Sequence, residues 1–376
     1  MARSGSTRVV VGMSGGVDSS VAALRLAEAG YDVHGLFMTN WEDDDEAYCT
    51  SARDLQDARA VCELLSIPLH RVNFSTDYRQ RVFAHFLREY EAGRTPNPDV
   101  LCNREIKFGA CFDYARRLGA DLVATGHYAC TDGNGTLLRP VDEAKDQTYF
   151  LLGVSAETLR QTLFPIGDLE KQDVRRIADR HGLPNHAKPD STGICFIGER
   201  PFREFLARYL PGQPGDIVAG DGQVIGRHHG LMYYTIGQRQ GLGIGGRADA
   251  GEAPWYVAAK DLAGNRLIAV QGHDHPALMS SGLRAIDAHW VAGGAPASVL
   301  RCQARIRHRQ ALQDCEFRLF PRGIEVYFDR CQRAVSPGQF IAFYRGRECL
   351  GGAIIDAPLR TPAPEIDAKA ADAAAV

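Results

Sequence analysis

The sequence lacks the patterns that mark several large classes of protein. No two of its ten cysteines stand three positions apart, so it has no C-x-x-C pair of the kind found in zinc ribbons and thioredoxin-type sites. No apolar run approaches the roughly 20 residues that cross a bilayer, and the N-terminal residues lack the apolar core of a signal peptide. We therefore expect a cytoplasmic protein without membrane partners, in which most cysteines are small buried residues.

An excess of positive charge is also missing. The 376 residues carry a formal net charge of only −3, and 45% of them are hydrophobic and 24% charged, as in ordinary globular proteins. Binding to a nucleic acid would therefore depend on local basic patches rather than on the charge of the whole chain.

The order of strand and helix signals predicts the fold class. Through the first part of the chain, short β-branched runs alternate with segments that have apolar residues at helical spacing, which is typical of a Rossmann-like α/β domain with a parallel sheet. Later, glycines become frequent and short β-rich runs dominate. We expect a catalytic domain over 1–208, a small mixed or β central domain over 209–282, a C-terminal β-barrel over 283–360 and a disordered tail over 361–376.

A glycine-rich loop follows the first predicted strand and leads into the first predicted helix. It consists of Gly12, Met13, Ser14, Gly15, Gly16, Val17, Asp18 and Ser19. Glycines let a backbone approach phosphate oxygens closely, and a helix start offers unpaired N–H groups and a positive dipole end. The loop has no Gly-Lys-Ser/Thr, so it is not a Walker A motif. Asp18 would repel bare phosphate, so we expect its carboxylate to hold a Mg²⁺ ion.

The string S-G-G-x-D-S over 14–19 resembles the PP-loop of the N-type ATP pyrophosphatases. These enzymes cleave ATP between the α and β phosphates and adenylate a substrate, so the resemblance implies ATP as the cofactor. Met38 and Gly126 end two other predicted strands at the same edge of the sheet, where Met38 could carry an adenine. Taken alone, Met38 is better explained as a core residue and Gly126 as a turn residue.

Two cysteines lie in segments of unusual composition. Cys102 follows a stretch stiffened by two prolines, in which Asn97 and Asp99 offer hydrogen-bonding groups, and a helix is predicted over 106–118. A helix start next to Cys102 would favour its thiolate form. Cys195 lies in a loop with glycines on both sides. Spacing alone does not distinguish reactive thiols from small buried side chains, nor does it show that the two cysteines meet.

A basic segment occurs in the last third of the chain. Arg301, Arg305, Arg307 and Arg309 stand in a stretch without an acidic residue before Asp314. If the stretch is a strand, its alternation places all four arginines on one face, which would suit a phosphate backbone. The alternative is a solvated edge strand protected by charge.

Four segments together resemble a single family. Residues 12–19, 95–108, 121–128 and 190–200 look like the signature segments of the bacterial tRNA-specific 2-thiouridylase family (MnmA or TrmU), and the similarity extends over about 7–358. The resemblance implies an ATP-dependent sulfurtransferase. Such an enzyme adenylates the C2 oxygen of the wobble uridine in tRNAs for Lys, Glu and Gln, and then introduces sulfur from a cysteine persulfide to give 2-thiouridine.

The same resemblance implies roles for individual residues. Cys195 would carry the persulfide, Cys102 would release its sulfur through a transient disulfide, and Asp99 would act as a general acid or base. The sulfur would come from a cysteine desulfurase or a relay protein. The implied contacts with the target base and the rest of the tRNA are Asn97, Pro98, Asp99, His127, Lys145, Asp146, Gln147, Arg307, His308 and Gln339.

Three other interpretations stay open on the residues alone. A PP-loop ligase of the amidating or argininosuccinate type would need ATP but no sulfur relay. A thiolase with an iron–sulfur cluster is disfavoured by the missing C-x-x-C. A tRNA-binding module with a decayed nucleotide site is disfavoured by the complete glycine-rich loop.

Overall fold

Three sheets in succession along the chain make up the architecture. The structure is a computed structural model, and it describes residues 6–42, 51–190, 201–244 and 253–360. Among these residues, no helix combines the length and the apolar character that crossing a bilayer would require. The combination of a parallel α/β sheet, a small mixed sheet and a C-terminal barrel confirms the predicted fold class.

A five-stranded parallel sheet forms the first part of the molecule. The strands in this part are β1 (Arg8–Gly12), β2 (Asp32–Thr39), β3 (Leu69–Asn73), β4 (Leu122–Thr125), β5 (Cys130–Thr131), β6 (Leu137–Leu138) and β7 (Thr162–Leu163). The sheet has the order β3-β2-β1-β4-β7. Because β2 lies on one side of β1 and β4 on the other, the order reverses there, and ligands of such sheets bind at this switch point beyond the carboxyl ends.

Helices cover both faces of this sheet. They are α1 (Val17–Glu28), α2 (Ser51–Leu64), α3 (Ser75–Tyr78), α4 (Ala84–Glu91), α5 (Pro98–Leu101), α6 (Cys111–Arg117), α7 (Thr148–Leu151), α8 (Ala156–Leu159), α9 (Lys171–Arg180) and, later, α10 (Phe202–Ala207). In β1, Val9 and Val11 pack into one core cluster and Val10 into another on the opposite face. Burial on both faces explains the continuous β-branched run of this strand.

One predicted helix boundary is wrong. Cys102–Ala110 is a π-helical segment that joins α5 to α6, so the helix covers 98–117 rather than 106–118. It starts early because the Asn97 side chain accepts a hydrogen bond from the Asp99 N–H at 3.2 Å and Pro98 occupies the first helical position. The Pro-rich stretch is therefore a helix cap as well as a loop. A second π-helical segment, Arg79–Phe83, joins α3 to α4.

The second sheet is small and mixed. Its strands are β8 (Gly215–Ala219), β9 (Val224–His228), β10 (Trp255–Asp261) and β11 (Arg266–Gln271), in the order β10-β11-β8-β9. The pairing of β11 with β8 is parallel and the other two pairings are antiparallel. Val257, Leu267 and Ala269 are fully buried in its core.

The third sheet closes into a barrel. Its strands are β12 (Met279–Trp290), β13 (Val299–Arg305), β14 (Gln313–Phe320), β15 (Gly323–Arg333), β16 (Phe340–Arg345) and β17 (Glu348–Leu359). They follow the order β12-β15-β14-β13-β16-β17, and pairing of β12 with β17 closes the ring. Closure leaves these six strands without a free edge inside the ring.

The barrel is joined directly to the first part of the chain. β5 and β6 form the hairpin that the Asp132-Gly133-Asn134-Gly135 turn predicts, and β6 pairs with β17 through Leu137 and Cys349. Phe340 and Tyr344 of β16 also belong to the core cluster that contains Tyr149. The first sheet's helices and the barrel thus share one hydrophobic core.

The prediction of four arginines on one strand face is wrong. β13 ends at Arg305, so Arg307 and Arg309 lie in the following turn. Arg305 is buried and its guanidinium lies 2.7 Å from the Asp146 carboxylate, while the exposed Arg301 pairs with an aspartate on β15. Of the four arginines only Arg305 is buried, because the Asp146 carboxylate, distant in sequence, neutralises it.

Candidate nucleotide and thiol site

The glycine-rich loop lies at the switch point of the first sheet. α1 begins after Gly16 without a side-chain cap, so its first N–H groups are open to an anion. The hydroxyl oxygens of Ser14 and Ser19 lie 3.2 Å apart, and the Ser19 hydroxyl donates to the Gly16 carbonyl at 3.0 Å. These bonds hold the loop in a tight turn with two hydroxyl groups at the helix start.

Two predicted loop residues turn their side chains into the core. Met13 is 1% exposed and Val17 is 3% exposed, both in the cluster beneath α1. The Met13 N–H also donates to the Leu36 carbonyl of β2 at 2.9 Å. Met13 and Val17 can therefore contact a bound phosphate only through their backbone atoms.

Glycine is required at two positions around the loop. A Cβ on Gly126, at the end of β4, would lie 2.6 Å from the Ser19 nitrogen, so this strand end packs directly on the first turn of α1. Gly15 has a φ of +75°, and a Cβ there would lie 2.3 Å from the Asp54 carbonyl oxygen. Gly12 has no such constraint, since its Cβ would meet nothing closer than 3.8 Å.

Met38 lies one residue before the end of β2. It stands opposite Val72 of β3, and its side chain is partly buried against the large core cluster. The residue therefore borders the same crevice as the loop, with part of its thioether side chain accessible.

Asp18 is held by groups that lie far away in sequence. The ammonium of Lys171 lies 2.7 and 2.8 Å from its two carboxylate oxygens, and the Tyr128 hydroxyl donates to it at 2.9 Å. Lys171 also pairs with Asp190 at 2.8 Å, and Lys145 pairs with Asp190 at 2.7 Å. Burial acts to raise the pKa of Asp190, but its bonds to these lysines outweigh burial and lower the pKa to about 2.

Sequence reasoning missed three residues that fix the loop. Lys171 holds Asp18, the Asn185 amide donates to the Gly15 carbonyl at 3.0 Å, and Lys188 reaches the same carbonyl at 3.2 Å. Lys188 also pairs with Asp54 of α2 at 2.7 Å. No local pattern marks these residues, because their role depends on how α9 and the segment after it fold back onto α1.

Cys102 lies within the 98–117 helix rather than before it. Its thiol is buried, with the residue 2% exposed, and its N–H is bonded to the carbonyls of Pro98 and Asp99. The N–H groups of this helix that lack a helical carbonyl partner therefore belong to residues that precede Cys102. Cys195, the second predicted thiol, lies outside the described residues. Asp190 is the last described residue before Cys195, and its carboxylate pairs with Lys171 beside the loop.

Lys107, His127 and Thr125 form a row of contacting side chains next to Gly126. The Lys107 ammonium lies 3.4 Å from His127 Nε2, and the Thr125 hydroxyl lies 2.8 Å from His127 Nδ1. Burial raises the pKa of Asp99, against the attraction of the Lys107 charge. Burial, together with the Lys107 charge, lowers the pKa of His127 well below its usual value, so the imidazole is neutral.

The barrel supports the segment that leads to Asn97. The Gln339 amide donates to the carbonyls of Thr95 at 2.8 Å and Pro96 at 3.3 Å. The Thr95 N–H donates to the Pro337 carbonyl at 2.9 Å, and Gly338 packs against the backbone of Thr95. Gln339, predicted to contact tRNA, thus holds the start of the 98–117 helix in place.

Asp146 is a buried link between the first domain and the barrel. It is 2% exposed, and its carboxylate lies 2.9 Å from Arg139 and 2.7 Å from Arg305. Its carbonyl accepts a hydrogen bond from His308 Nε2 at 2.9 Å. The Asp146 carboxylate thus neutralises two guanidinium groups, one from each side of this link.

The remaining predicted RNA contacts flank this link. The Gln147 amide oxygen accepts from the Tyr128 N–H at 2.8 Å, next to His127. Arg307 is exposed and donates to the Ala334 carbonyl at 2.6 Å. Arg307 and the half-exposed Lys145 are the cations of the predicted set that reach the surface.

The crevice defines the class of protein. An uncapped helix start, a glycine from the adjacent strand and a carboxylate held at the loop are the parts of a nucleotide-binding α/β domain. Family models agree along the chain: a tRNA methyl transferase HUP domain matches residues 7–199, a tRNA methyl transferase PRC-barrel domain 203–271, and an aminomethyltransferase beta-barrel domain 280–355.

Within that class, the chain belongs to the tRNA-specific 2-thiouridylase MnmA family. The protein of that name from Alcanivorax borkumensis is 60% identical over 354 residues, which cover 93% of this chain and 97% of the relative. The one from Marinobacter nauticus is 58% identical over 357 residues, covering 93% and 91%. Among solved structures, the U34-tRNA thiolase NcsA from Methanococcus maripaludis overlaps with a TM-score of 0.35 at 18% identity, over 54% of this chain and 64% of that one.

Proposed function

We propose that this protein is a tRNA 2-thiouridylase, which uses ATP to replace the C2 oxygen of the wobble uridine with sulfur. One observation carries the proposal. Gly126 and His127 are consecutive, and they join the phosphate loop on one side to the helix of Asp99 and Cys102 on the other. A nucleotide at the loop would therefore lie beside the helix that carries Asp99 and Cys102. The relatives that match over 93% of the chain carry the corresponding name.

ATP would bind with its phosphates at the start of α1. The N–H groups of the first turn and the hydroxyls of Ser14 and Ser19 would contact the phosphate oxygens, and Met38 would border the adenine. A Mg²⁺ ion at Asp18 would share this carboxylate with the Lys171 ammonium, which contacts both of its oxygens, and would take its other ligands from phosphates and water. Among the described residues, no set of three metal-binding side chains occurs. When bound, the ion would neutralise phosphate charge.

The proposed reaction balances in two stages. The uridine C2 oxygen attacks the α-phosphorus, the bond to the β-phosphate breaks, pyrophosphate leaves and the N3 proton passes to the Asp99 carboxylate. The terminal sulfur of a persulfide on Cys195 then attacks C2, and AMP leaves with the oxygen. The Cys102 thiolate attacks the Cys195 sulfur, the bond between the two persulfide sulfurs breaks, the outer sulfur stays on C2 and Asp99 returns the proton to N3. The resulting Cys102–Cys195 disulfide is opened by a cellular dithiol.

The proposed tRNA surface combines two kinds of residue. Arg307 and Lys145 would contact the phosphate backbone, since their cations reach the surface. Asn97, Pro98 and Asp99 would face the target base, while Gln339, Asp146, His127, Gln147 and His308 shape this surface from within. The proposed substrates are tRNAs for Lys, Glu and Gln, and the proposed sulfur donor is a cysteine desulfurase or a relay protein.

Mass spectrometry of tRNA nucleosides tests the function. Wild type, Cys195→Ser and Cys331→Ser are incubated with tRNA, ATP, Mg²⁺ and a persulfide donor. Cys331 is exposed on the barrel and serves as the matched control. We expect 2-thiouridine from wild type and Cys331→Ser, and none from Cys195→Ser, which still releases pyrophosphate. Pyrophosphate without 2-thiouridine from wild type would point to a different PP-loop ligase, and thiolation by Cys195→Ser would exclude the relay.

A further inference from the structure

The second sheet carries a lysine that contacts the first domain. Lys260, on β10, is half-buried, and its ammonium donates a hydrogen bond to the Gly93 carbonyl at 2.8 Å. Burial lowers the pKa of Lys260 to about 8, and no nearby carboxylate in the described part of the chain acts against this lowering. The hydrogen bond to Gly93 is therefore the main compensation for placing a cation there.

Gly93 is the residue at which the chain leaves α4. The Arg94 N–H donates to the Glu89 carbonyl at 2.8 Å, the bond that closes a Schellman helix end around a residue with positive φ, here +73° at Gly93. The Leu262 side chain covers this turn, since a Cβ on Gly93 would lie 2.6 Å from Leu262 Cδ2. A cation beside the last carbonyls also suits the negative end of the helix dipole. Lys260 and Leu262 thus hold the chain where it turns away from α4.

Two residues further on, every polar group of Thr95 contacts another part of the fold. Its N–H donates to the Pro337 carbonyl and its carbonyl accepts from the Gln339 amide, both in the barrel. Its hydroxyl lies 3.4 Å from the hydroxyl of Thr235, which belongs to the segment between β9 and β10. The second sheet and the barrel therefore both hold Thr95.

The two contacts from the second sheet belong to one connected piece. The Gly237 N–H donates to the Val257 carbonyl of β10 at 2.7 Å, and the Val257 N–H donates to the Gln238 carbonyl at 3.0 Å. These bonds join the turn that begins at Thr235 to the strand that carries Lys260. A shift of this strand would therefore move both contacts together.

Little conformational freedom separates Thr95 from the proposed base-binding residues. Pro96 and Pro98 have fixed φ angles, and the side chain of Asn97 between them caps the helix that follows. Asp99 lies in the first turn of that helix. A shift of Thr95 would therefore displace the helix start, because the intervening segment is too stiff to absorb it.

We propose that Lys260 is a positioning residue for the proposed thiolation: through its bond to Gly93, it fixes the place at which Asn97 and Asp99 meet the target base. The inference rests on the proposed function and gives the second sheet a part in it. A nucleotide at the phosphate loop and a base on another segment react only at a closely set separation, since a displacement of about 1 Å can lower the rate about 10²-fold. Lys260 lies outside the phosphate loop, so we expect it to affect turnover and to leave ATP binding unchanged.

Hydrogen–deuterium exchange tests the position of the segment, and tRNA-dependent pyrophosphate release tests the consequence. In Lys260→Met, peptides that cover 93–101 should exchange about tenfold faster, while peptides that cover 8–20 keep the wild-type rate. Turnover at saturating ATP and tRNA should fall about tenfold. The KM for ATP should stay within about twofold of wild type, because the phosphate loop is unchanged. Lys260→Arg keeps a cationic donor and should keep most of the protection and turnover.

Arg227→Met is the matched control, because it removes an exposed cation from β9 of the same sheet. Its exchange and turnover should equal those of wild type. Leu262→Ala is a second test, since it removes the side chain that covers Gly93. Leu262 is 56% exposed, so the protein should fold without it. We expect the same pattern as in Lys260→Met at a smaller size, about threefold.

The outcomes separate this inference from the proposed function. The inference requires both changes in Lys260→Met or, if that variant folds poorly, in Leu262→Ala, so wild-type exchange over 93–101 or wild-type turnover would overturn it. Equally fast exchange over 8–20, or a raised KM for ATP, would also overturn it, because general destabilisation would then explain the loss. If wild type releases no pyrophosphate with tRNA, the proposed function itself fails, and the exchange measurement still decides whether Lys260 holds the segment.

Discussion

Gly126 leaves no room for a side chain between the first sheet and α1. Gly126 directly follows β4, and the backbone of Asp18 and Ser19 fills the space where a Cβ would stand, at 2.7 and 2.6 Å. These neighbours are main-chain atoms of a helix start, which cannot move aside as a flexible side chain can. The separation of β4 from α1 thus depends on a single missing methyl group.

Gly126→Ala should therefore disable the phosphate site without unfolding the protein. The added Cβ pushes the start of α1 away from β4, and a displacement of about 1 Å in such a site can lower the rate about 10²-fold. Tritium-labelled ATP binding and tRNA-dependent pyrophosphate release measure the effect. Gly220→Ala is the control, since its Cβ would come no closer than 4.0 Å to a neighbour. Similar activity of the two variants would contradict the packing described.

Single residues could be predicted from sequence where a local string identifies them. The loop from Gly12 to Ser19 is continuous, so its position at a helix start was readable. Lys171 and Lys188 were not, because their contacts join segments far apart in the chain. The burial of Arg305 escaped prediction for the same reason, since its partner is Asp146.

At the scale of elements, glycines and prolines gave the most reliable boundaries. α1 ends just before Gly30, whose N–H donates to the Ala27 carbonyl at 3.0 Å, as a glycine stop signal predicts. The 98–117 helix was predicted to begin too late, because an Asn-Pro pair marks both turns and helix starts. The π-helical segment within it could not be predicted, since its wider turn leaves no simple spacing in the sequence.

Gly338, in the turn before β16 of the barrel, should fix the position of Thr95 in the segment that leads to Asn97. Gly338 has a φ of +91°, and a Cβ on it would lie 2.9 Å from the Thr95 nitrogen. Gly338→Ala should lose about 1 kcal/mol of stability to backbone strain, and should also slow pyrophosphate release by displacing Thr95. Gly346→Ala has a similar strain, with a φ of +60°, but its Cβ would meet nothing within 4 Å. In urea unfolding both variants should lose stability, whereas only Gly338→Ala should lose activity. Equal activities would show that the barrel does not position this segment.

On the scale of the whole molecule, Asp146 connects the first domain to the barrel. Burial acts to raise its pKa, but bonds from Thr148, Arg305 and Arg139 outweigh burial and keep the pKa below the usual value. The carboxylate is therefore ionised in the folded protein, and two guanidinium groups depend on it. The division into domains over 1–208, 209–282 and 283–360 stays a prediction, but the first and third of these units share this ion network and one core.

Asp146→Asn should destabilise the protein by about 3–5 kcal/mol, because it leaves a buried cation without its counter-charge. Asp329→Asn, which breaks an exposed pair with Arg301, should cost about 0–1 kcal/mol. Urea unfolding measures both.

Since the pKa of Asp146 is lowered on folding, the contribution of its carboxylate to stability is complete above about pH 3.9 and is lost as the pH falls through the lower, folded value. The difference between wild type and Asp146→Asn should shrink accordingly below pH 4, and a constant difference would contradict an ionised Asp146.

The hairpin of β5 and β6 has a consequence for evolution and for engineering. Its second strand continues the hydrogen-bonded ladder of β17, so part of the barrel wall is encoded within the nucleotide-binding domain. Recombination that exchanged only the C-terminal third between relatives would join two halves of a ladder that had never been selected together. A designed chimaera should therefore transfer the barrel together with the hairpin.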